Sequence, residues 1–105
     1  MRITVLGGCG TVGSIAVKTL ASSDVFSEIV IGDVDVGKAK KLASELGPEK
    51  VSAVKVDALD SSSIKKAIKG SPVVLNCIGP FYKFGPLVLR ATIDSGINYV
   101  DICDD

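Results

Sequence analysis

Three glycines and one aspartate carry the most legible chemistry in this 105-residue chain. Gly8, Gly10 and Gly13 satisfy G-x-G-x-x-G within "GGCGTVG", directly after the apolar run "ITVL". Such spacing suits an anion. Gly8 allows a tight turn, Gly10 has no side chain to block a pyrophosphate, and Gly13 lets a helix approach the preceding strand. The amides near Thr11 and Val12, at the positive end of that helix, then face the anion. A glycine cluster can also be a plain turn. The strand before it and the helix after it give this one mechanical meaning.

Asp33 stands 20 residues beyond Gly13, at the end of the apolar run "EIVIGD". That is the position of an acid that bonds the adenosine ribose hydroxyls of a dinucleotide. Asp35 is the better cap for the following helix, which leaves Asp33 for the ribose. A carboxylate there repels a 2′-phosphate, so NAD is favoured over NADP. Lys38, with Lys40 and Lys41 beyond it, would offset that repulsion if it reaches back, so NADP stays open. Asp57 ends the third strand, where it either reaches the adenine edge or serves as a solvated turn residue. Asn76, Cys77, Ile78 and Gly79 end the fourth strand and should face the glycine loop across a crevice. Gly79-Pro80 would let backbone approach the nicotinamide ribose. Asn76 reads better as a buried polar group bonded to neighbouring backbone.

These residues need elements to hold them. Residues 3–6 read as a strand. Residues 12–20 have helical spacing, with Val12, Ile15, Ala16 and Leu20 on one face. A second strand covers 28–33. Residues 36–46 form a helix whose Val36, Ala39, Leu42, Ala43 and Leu46 line one side, ended by Gly47-Pro48. A third, edge-like strand covers 51–57. A short helix over 60–70 is capped by Asp60 or Ser61. The fourth strand, at 72–79, is the most apolar. A helix over 86–96 begins at Pro86, and a fifth strand covers 98–105. The alternation implies an α/β fold, a doubly wound, parallel five-stranded, Rossmann-like sheet of order 3-2-1-4-5.

Composition narrows the function. Twelve basic and twelve acidic residues give no net charge and no basic run, which points away from nucleic acid. No apolar stretch is long enough to span a bilayer, and the N-terminus lacks the pattern of a secretory leader. Cys9, Cys77 and Cys103 form no CxxC pair, and there is no histidine, so neither a disulfide scaffold nor a metal site is expected. The thiols suit a reducing cytoplasm.

Taken together, "VLGGCGTVGS", "IGDVDVGKAKKLASEL" and "VVLNCIGPFYKFGPLVLRATIDSGINYVDICDD" resemble the N-terminal nucleotide-binding domain of the saccharopine dehydrogenase-like proteins. "NCIGPF" and "SGINYVDICDD" are the more specific parts. The resemblance implies a nicotinamide cofactor used to oxidise or form a C–N bond of an amino acid or related amine. It puts the pyrophosphate at Gly8, Gly10 and Gly13 and the ribose at Asp33. Many members follow the acid with an arginine that accepts NADP. Val34 stands there, which again favours NAD. Tyr82 and Phe84 fall where some members carry a Tyr-x-Phe loop near the substrate, after a one-residue shift past Pro80. The family continues into a substrate and dimerisation domain. The chain is therefore expected to be the cofactor domain of a longer, homodimeric two-domain enzyme, with little turnover of its own. The competing class is a non-catalytic nucleotide-sensing module. The aromatic, proline-framed "GPFYKFGP" loop speaks for the enzyme. A short-chain reductase is disfavoured, because no Tyr-x-x-x-Lys occurs.

Overall fold

A computed structural model describes residues 1–8, 10–57, 59–78, 90 and 96–101. Within them the chain runs β1 (Arg2–Leu6), α1 (Thr11–Ala21), β2 (Glu28–Asp33), α2 (Val36–Leu46), β3 (Val51–Lys55), α3 (Ser61–Ile68), β4 (Val73–Asn76) and β5 (Asn98–Asp101). Every strand pair is parallel, and the order is β3-β2-β1-β4-β5, as the alternation predicts. The helix expected over 86–96 lies largely outside the described residues, as do Gly79, residues 102–105, Cys9, Tyr82 and Phe84.

The central strands are apolar on both faces because both faces are covered. Ile3, Val5, Ile29 and Ile31 meet Val17 of α1 and Ala39, Leu42 and Ala43 of α2. On the opposite face Leu6, Val56 and Val74 meet Ile64, Ala67 and Ile68 of α3. Among the described residues, α1 and α2 on one face and α3 on the other make the sheet doubly wound. β3 is one of the two edge strands, and only its first residue, Val51, is buried within the strand.

The caps hold as read. Asp35 Oδ1 accepts the Lys38 amide at 3.0 Å, and Asp60 Oδ1 accepts that of Ser62 at 3.0 Å. Gly47 and Gly70 leave their helices at positive φ. At the far end of α1, the Lys50 ammonium donates to the Ala21 and Ser23 carbonyls at 2.9 and 2.8 Å, a cation at the negative helix end.

Two expectations need correction. The inward face of α1 is Gly13 and Val17, flanked by half-buried Leu20 and Ala21, whereas Val12 and Ile15 are 56% and 62% exposed. Apolar spacing misplaces the face because Gly13, with no side chain to count, is the residue that packs closest. β3 and β4 are also shorter than the apolar runs suggest. β4 stops at Asn76 because the Asn76 side chain, not a neighbouring strand, takes the Ile78 amide at 3.0 Å.

A buried polar chain ties β1 to α3. Thr4 Oγ1 donates to the Ala67 carbonyl at 3.2 Å and accepts from Ser71 Oγ at 2.6 Å, with Thr4 and Ser71 both buried. Thr4→Val strands the Ser71 hydroxyl and should destabilise by about 1–3 kcal/mol. Adding Ser71→Ala should recover part of the loss, since the orphaned hydroxyl is removed and only the Ala67 carbonyl is left without the Thr4 donor. Urea denaturation of the two variants checks this, and equal losses in both would refute it.

Candidate dinucleotide-binding site

β1, β2 and β4 end at one level: Leu6 is in register with Gly32 on one side and Asn76 on the other. From there β1 leads through α1 towards β2, and β4 lies on β1's other side. The crevice between them is the switch point of the sheet, where ligands of open α/β folds bind.

The glycine turn fills the top of β1. Gly7, at φ +75°, is the left-handed residue, and its amide donates to the Gly32 carbonyl at 2.7 Å. The tight turn therefore belongs to Gly7, not to Gly8 as its motif position implies. Gly8 is required for packing instead: a Cβ there would lie 2.7 Å from Ile31 Cγ2 and 3.3 Å from Val17 Cγ2. Gly13 is the tightest of all, since a Cβ would overlap the Gly7 carbonyl oxygen. Gly10 differs from all three. The nearest atom to a Cβ there is the Gly7 oxygen at 3.5 Å, an ordinary contact.

Gly10 is the N-cap of α1, at φ −74° and ψ 175°, and no side chain caps the helix. The first turn also has no acidic residue. Thr11 and Val12 are exposed at that end, with their amides at the positive pole of the helix. Unlike α2 and α3, α1 presents an uncapped amide end to the loop.

The partners expected around this loop come to it in different ways. Cys77 and Ile78 adjoin it: the Cys77 amide donates to the Leu6 carbonyl at 2.8 Å, and a Cβ on Gly7 would be 3.0 Å from the Ile78 nitrogen. Asn76 is fully buried and bonded to backbone, as read. Asp33, half-buried at the tip of β2, accepts the Asp35 amide on Oδ1 at 3.1 Å. That bond fixes the carboxylate beside the corner leading to α2. Asp57 lies two residues past β3 and is an exposed turn residue. Its Oδ1 accepts the Leu59 amide at 2.9 Å, and its own amide donates to Ser63 Oγ at 3.0 Å.

Leu59 was missed in the sequence, and Val34 was read there only for the cation it does not supply. Each is 66% exposed, just past the ends of neighbouring strands β2 and β3. An apolar residue one or two positions after an aspartate at or just past a strand end was the available signal. Among the described residues no group of acids and thiols is placed to hold a metal, and no helix is long and apolar enough to cross a membrane.

A doubly wound parallel sheet with an uncapped, glycine-built helix start at its switch point is a dinucleotide-binding domain. Residues 3–104 match the family described as the saccharopine dehydrogenase NADP binding domain, and the chain belongs to that family. It is 25% identical to carboxyaminopropylagmatine dehydrogenase from Synechocystis, over 96% of this chain and 25% of that protein. It is 26% identical to the saccharopine dehydrogenase-like oxidoreductase of Mus musculus, over 99% of this chain and 28% of that protein. Among solved structures it resembles apo saccharopine dehydrogenase (L-Glu forming) from Saccharomyces cerevisiae, with TM-score 0.80, 26% identity, and coverage of 95% of this chain and 21% of that one. It also resembles the Citrobacter triphenylmethane reductase complexed with NADP(H), with TM-score 0.72, 27% identity, and coverage of 92% and 35%. The chain spans about a quarter of the length of these two curated relatives.

The two inner glycines separate by experiment. Gly13→Ala should cost at least about 2 kcal/mol, because helix and turn must part. Gly10→Ala should cost less than about 1 kcal/mol. Thermal melts of both variants measure this, and similar losses would contradict the packing described.

Proposed function

We propose that this chain is the cofactor-holding domain of an oxidoreductase acting on a C–N bond of an amino acid or related amine. The observation that carries the cofactor half is Gly10. A glycine there is required neither by backbone conformation nor by internal packing, yet a side chain would project at the uncapped start of α1. A pyrophosphate approaching those amides accounts for the missing Cβ. The substrate half rests on family membership and on the dehydrogenase names of the relatives.

In this reading Gly8, Gly10 and Gly13 shape the loop, and Thr11 and Val12 offer amides to the pyrophosphate. Asp33 accepts the adenosine ribose hydroxyls, its carboxylate already oriented by the Asp35 amide. Val34 and Leu59 provide apolar walls for the adenine, with Asp57 at its edge. Cys77 and Ile78, with Gly79 beyond, approach the nicotinamide ribose. When bound, the nicotinamide supplies hydride transfer, and the protein supplies position and electrostatics. Asp33 with Val34 favours NAD, because a carboxylate next to an apolar residue gives a 2′-phosphate repulsion and no cation. The amine substrate would be recognised by a further domain of a two-domain protein, as the coverage of the relatives suggests.

Fluorescence titration of the purified chain with NADH tests the reading. Gly10→Ala should weaken binding at least about tenfold while melting near the wild type. Asp33→Ala should weaken it by about tenfold through loss of charge-assisted ribose bonds. No binding of any nicotinamide dinucleotide at millimolar concentration would overturn the proposal.

A further inference from the structure

The edge of the sheet where the strands begin, opposite the glycine loop, carries charge that the dinucleotide reading does not use. An open cavity of about 520 Å³ lies there, lined by Lys65 and Lys69 at the end of α3, by Gly70, Ser71 and Pro72 leading into β4, and by Ile97 ahead of β5. Arg2 borders it from the start of β1: its Nη1 is 3.4 Å from the position a Cβ on Gly70 would take. Both lysines and Pro72 are exposed, and Ile97 is half-buried. The length of β1, about 16 Å, separates this cavity from the glycine loop.

The Arg2 guanidinium is incompletely engaged. Its Nε is buried and has no hydrogen-bond partner, the one such side-chain atom among the described residues. The Glu28 carboxylate stands 3.7 Å from it, close enough to pair charges but too far to accept the proton. A guanidinium is a planar fork suited to a two-oxygen acceptor, and Glu28 does not engage it in that way. Lysines near a helix end ordinarily answer its negative pole. Here the last carbonyls of α3 have other donors. The Ala67 carbonyl accepts from the Thr4 hydroxyl at 3.2 Å, and the Ile68 carbonyl from the Ser71 amide at 3.0 Å. Lys66, in the same last turn, lines a different groove with Lys55 and Ser63.

We propose that Arg2, Lys65 and Lys69 form a second anion site, for a small phosphate monoester, at the edge of the sheet opposite the dinucleotide. Three cations against the one carboxylate of Glu28 leave +2, which balances a phosphate monoester near neutral pH. The Arg2 fork matches two phosphate oxygens, and the lysines act as point charges. Pro72 and Ile97 place an apolar wall beside the head group, which suits an ester better than the inorganic ion. The site shares no residue with the glycine loop or with Asp33, so it stands independently of the dinucleotide reading. Because both lysines are exposed, salt weakens the binding.

The test is an NMR titration of the whole isotope-labelled chain at low salt with phenyl phosphate, inorganic phosphate and benzoate, each with and without NADH. Saturable shifts should appear at the Gly70, Ser71 and Ile97 amides and at the Arg2 Nε proton, and NADH should leave them unchanged. Phenyl phosphate should bind most tightly, and benzoate, with a single charge, at least about fivefold more weakly. Lys69→Ala should weaken phenyl phosphate about fivefold, and Lys66→Ala, the charge control on the same turn, less than about twofold. Arg2→Lys, which keeps the charge and removes the fork, should also weaken it about fivefold. Shifts that never saturate, or equal loss in Lys69→Ala and Lys66→Ala, overturn the site. Benzoate binding as tightly as phenyl phosphate overturns the assignment to a phosphate. Shifts confined to Gly10 and Thr11 place the anion at the glycine loop alone, which overturns this site and supports the dinucleotide reading.

Discussion

The contact between Gly13 and the Gly7 carbonyl sets the geometry of this end of the molecule. Helix α1 starts where it does because its third residue lies against the turn that closes β1, with no room for a methyl group between them. That seat fixes the rotation of the helix. Val17, one turn on, then enters the core beside Val5 and Ile31, and Val12 and Ile15 turn outward. It also fixes the height of the helix start above the strand ends, and so the place towards which its amides point. Gly7 is held from the other side by the Gly32 carbonyl and by the exit of β4 at Cys77 and Ile78. The turn thus locks three strands and one helix together, which is why a ligand site can rest on a loop without depending on loop flexibility.

The same device recurs at the ends of β2 and β3. In each, a first aspartate accepts the amide two residues on: Asp33 from Asp35, and Asp57 from Leu59. A second aspartate then caps the next helix: Asp35 for α2 and Asp60 for α3. The pairing separates two tasks that one carboxylate could not perform together. The cap offsets the positive helix end, and the strand-end acid is oriented by backbone before any ligand arrives. Preorganisation of that kind lowers the entropy lost on binding. At β1 the device is absent. Glycine takes the cap position, and the first turn of α1 carries no acidic residue.

The strand order, the helix caps and the site at the switch point were legible because each has a local cause. β-branched runs, Asp before a helix and Gly after one are all visible in a short window. The inward face of α1 was not legible, since counting apolar residues gives weight to Val12 and Ile15 and none to Gly13. The residue that makes the tight turn was hidden for a related reason. Gly7 and Gly8 are adjacent and chemically identical, and only the placement of Ile31 and Val17 against Gly8 assigns them different duties. Gly32 is a further case: it carries no motif, but a Cβ there would lie 2.9 Å from Leu6 Cδ2 and 2.8 Å from Val56 Cγ2. The cleft bounded by Arg2, Lys65 and Lys69 depends on how β1 and α3 pack, and no spacing within either element reveals it.

Glycine lowers stability wherever its freedom is not needed, by about 0.5–1 kcal/mol in a regular element. Most of the described glycines have an internal reason. Gly7, Gly47, Gly70 and Gly96 adopt positive φ, and Gly8, Gly13 and Gly32 have neighbours closer than a Cβ allows. Gly10 and Gly37 have neither: their φ values are not positive, and a Cβ would find its nearest neighbour at 3.5 and 3.7 Å. These two stand at the starts of α1 and α2, either side of the corner formed by Asp33 and Asp35. A glycine that neither backbone conformation nor close packing within the fold requires marks where the fold can meet something else. The two such glycines fall on the edge of the sheet where the topology alone would put a dinucleotide. Sterics and topology are independent of each other, and here they select the same place.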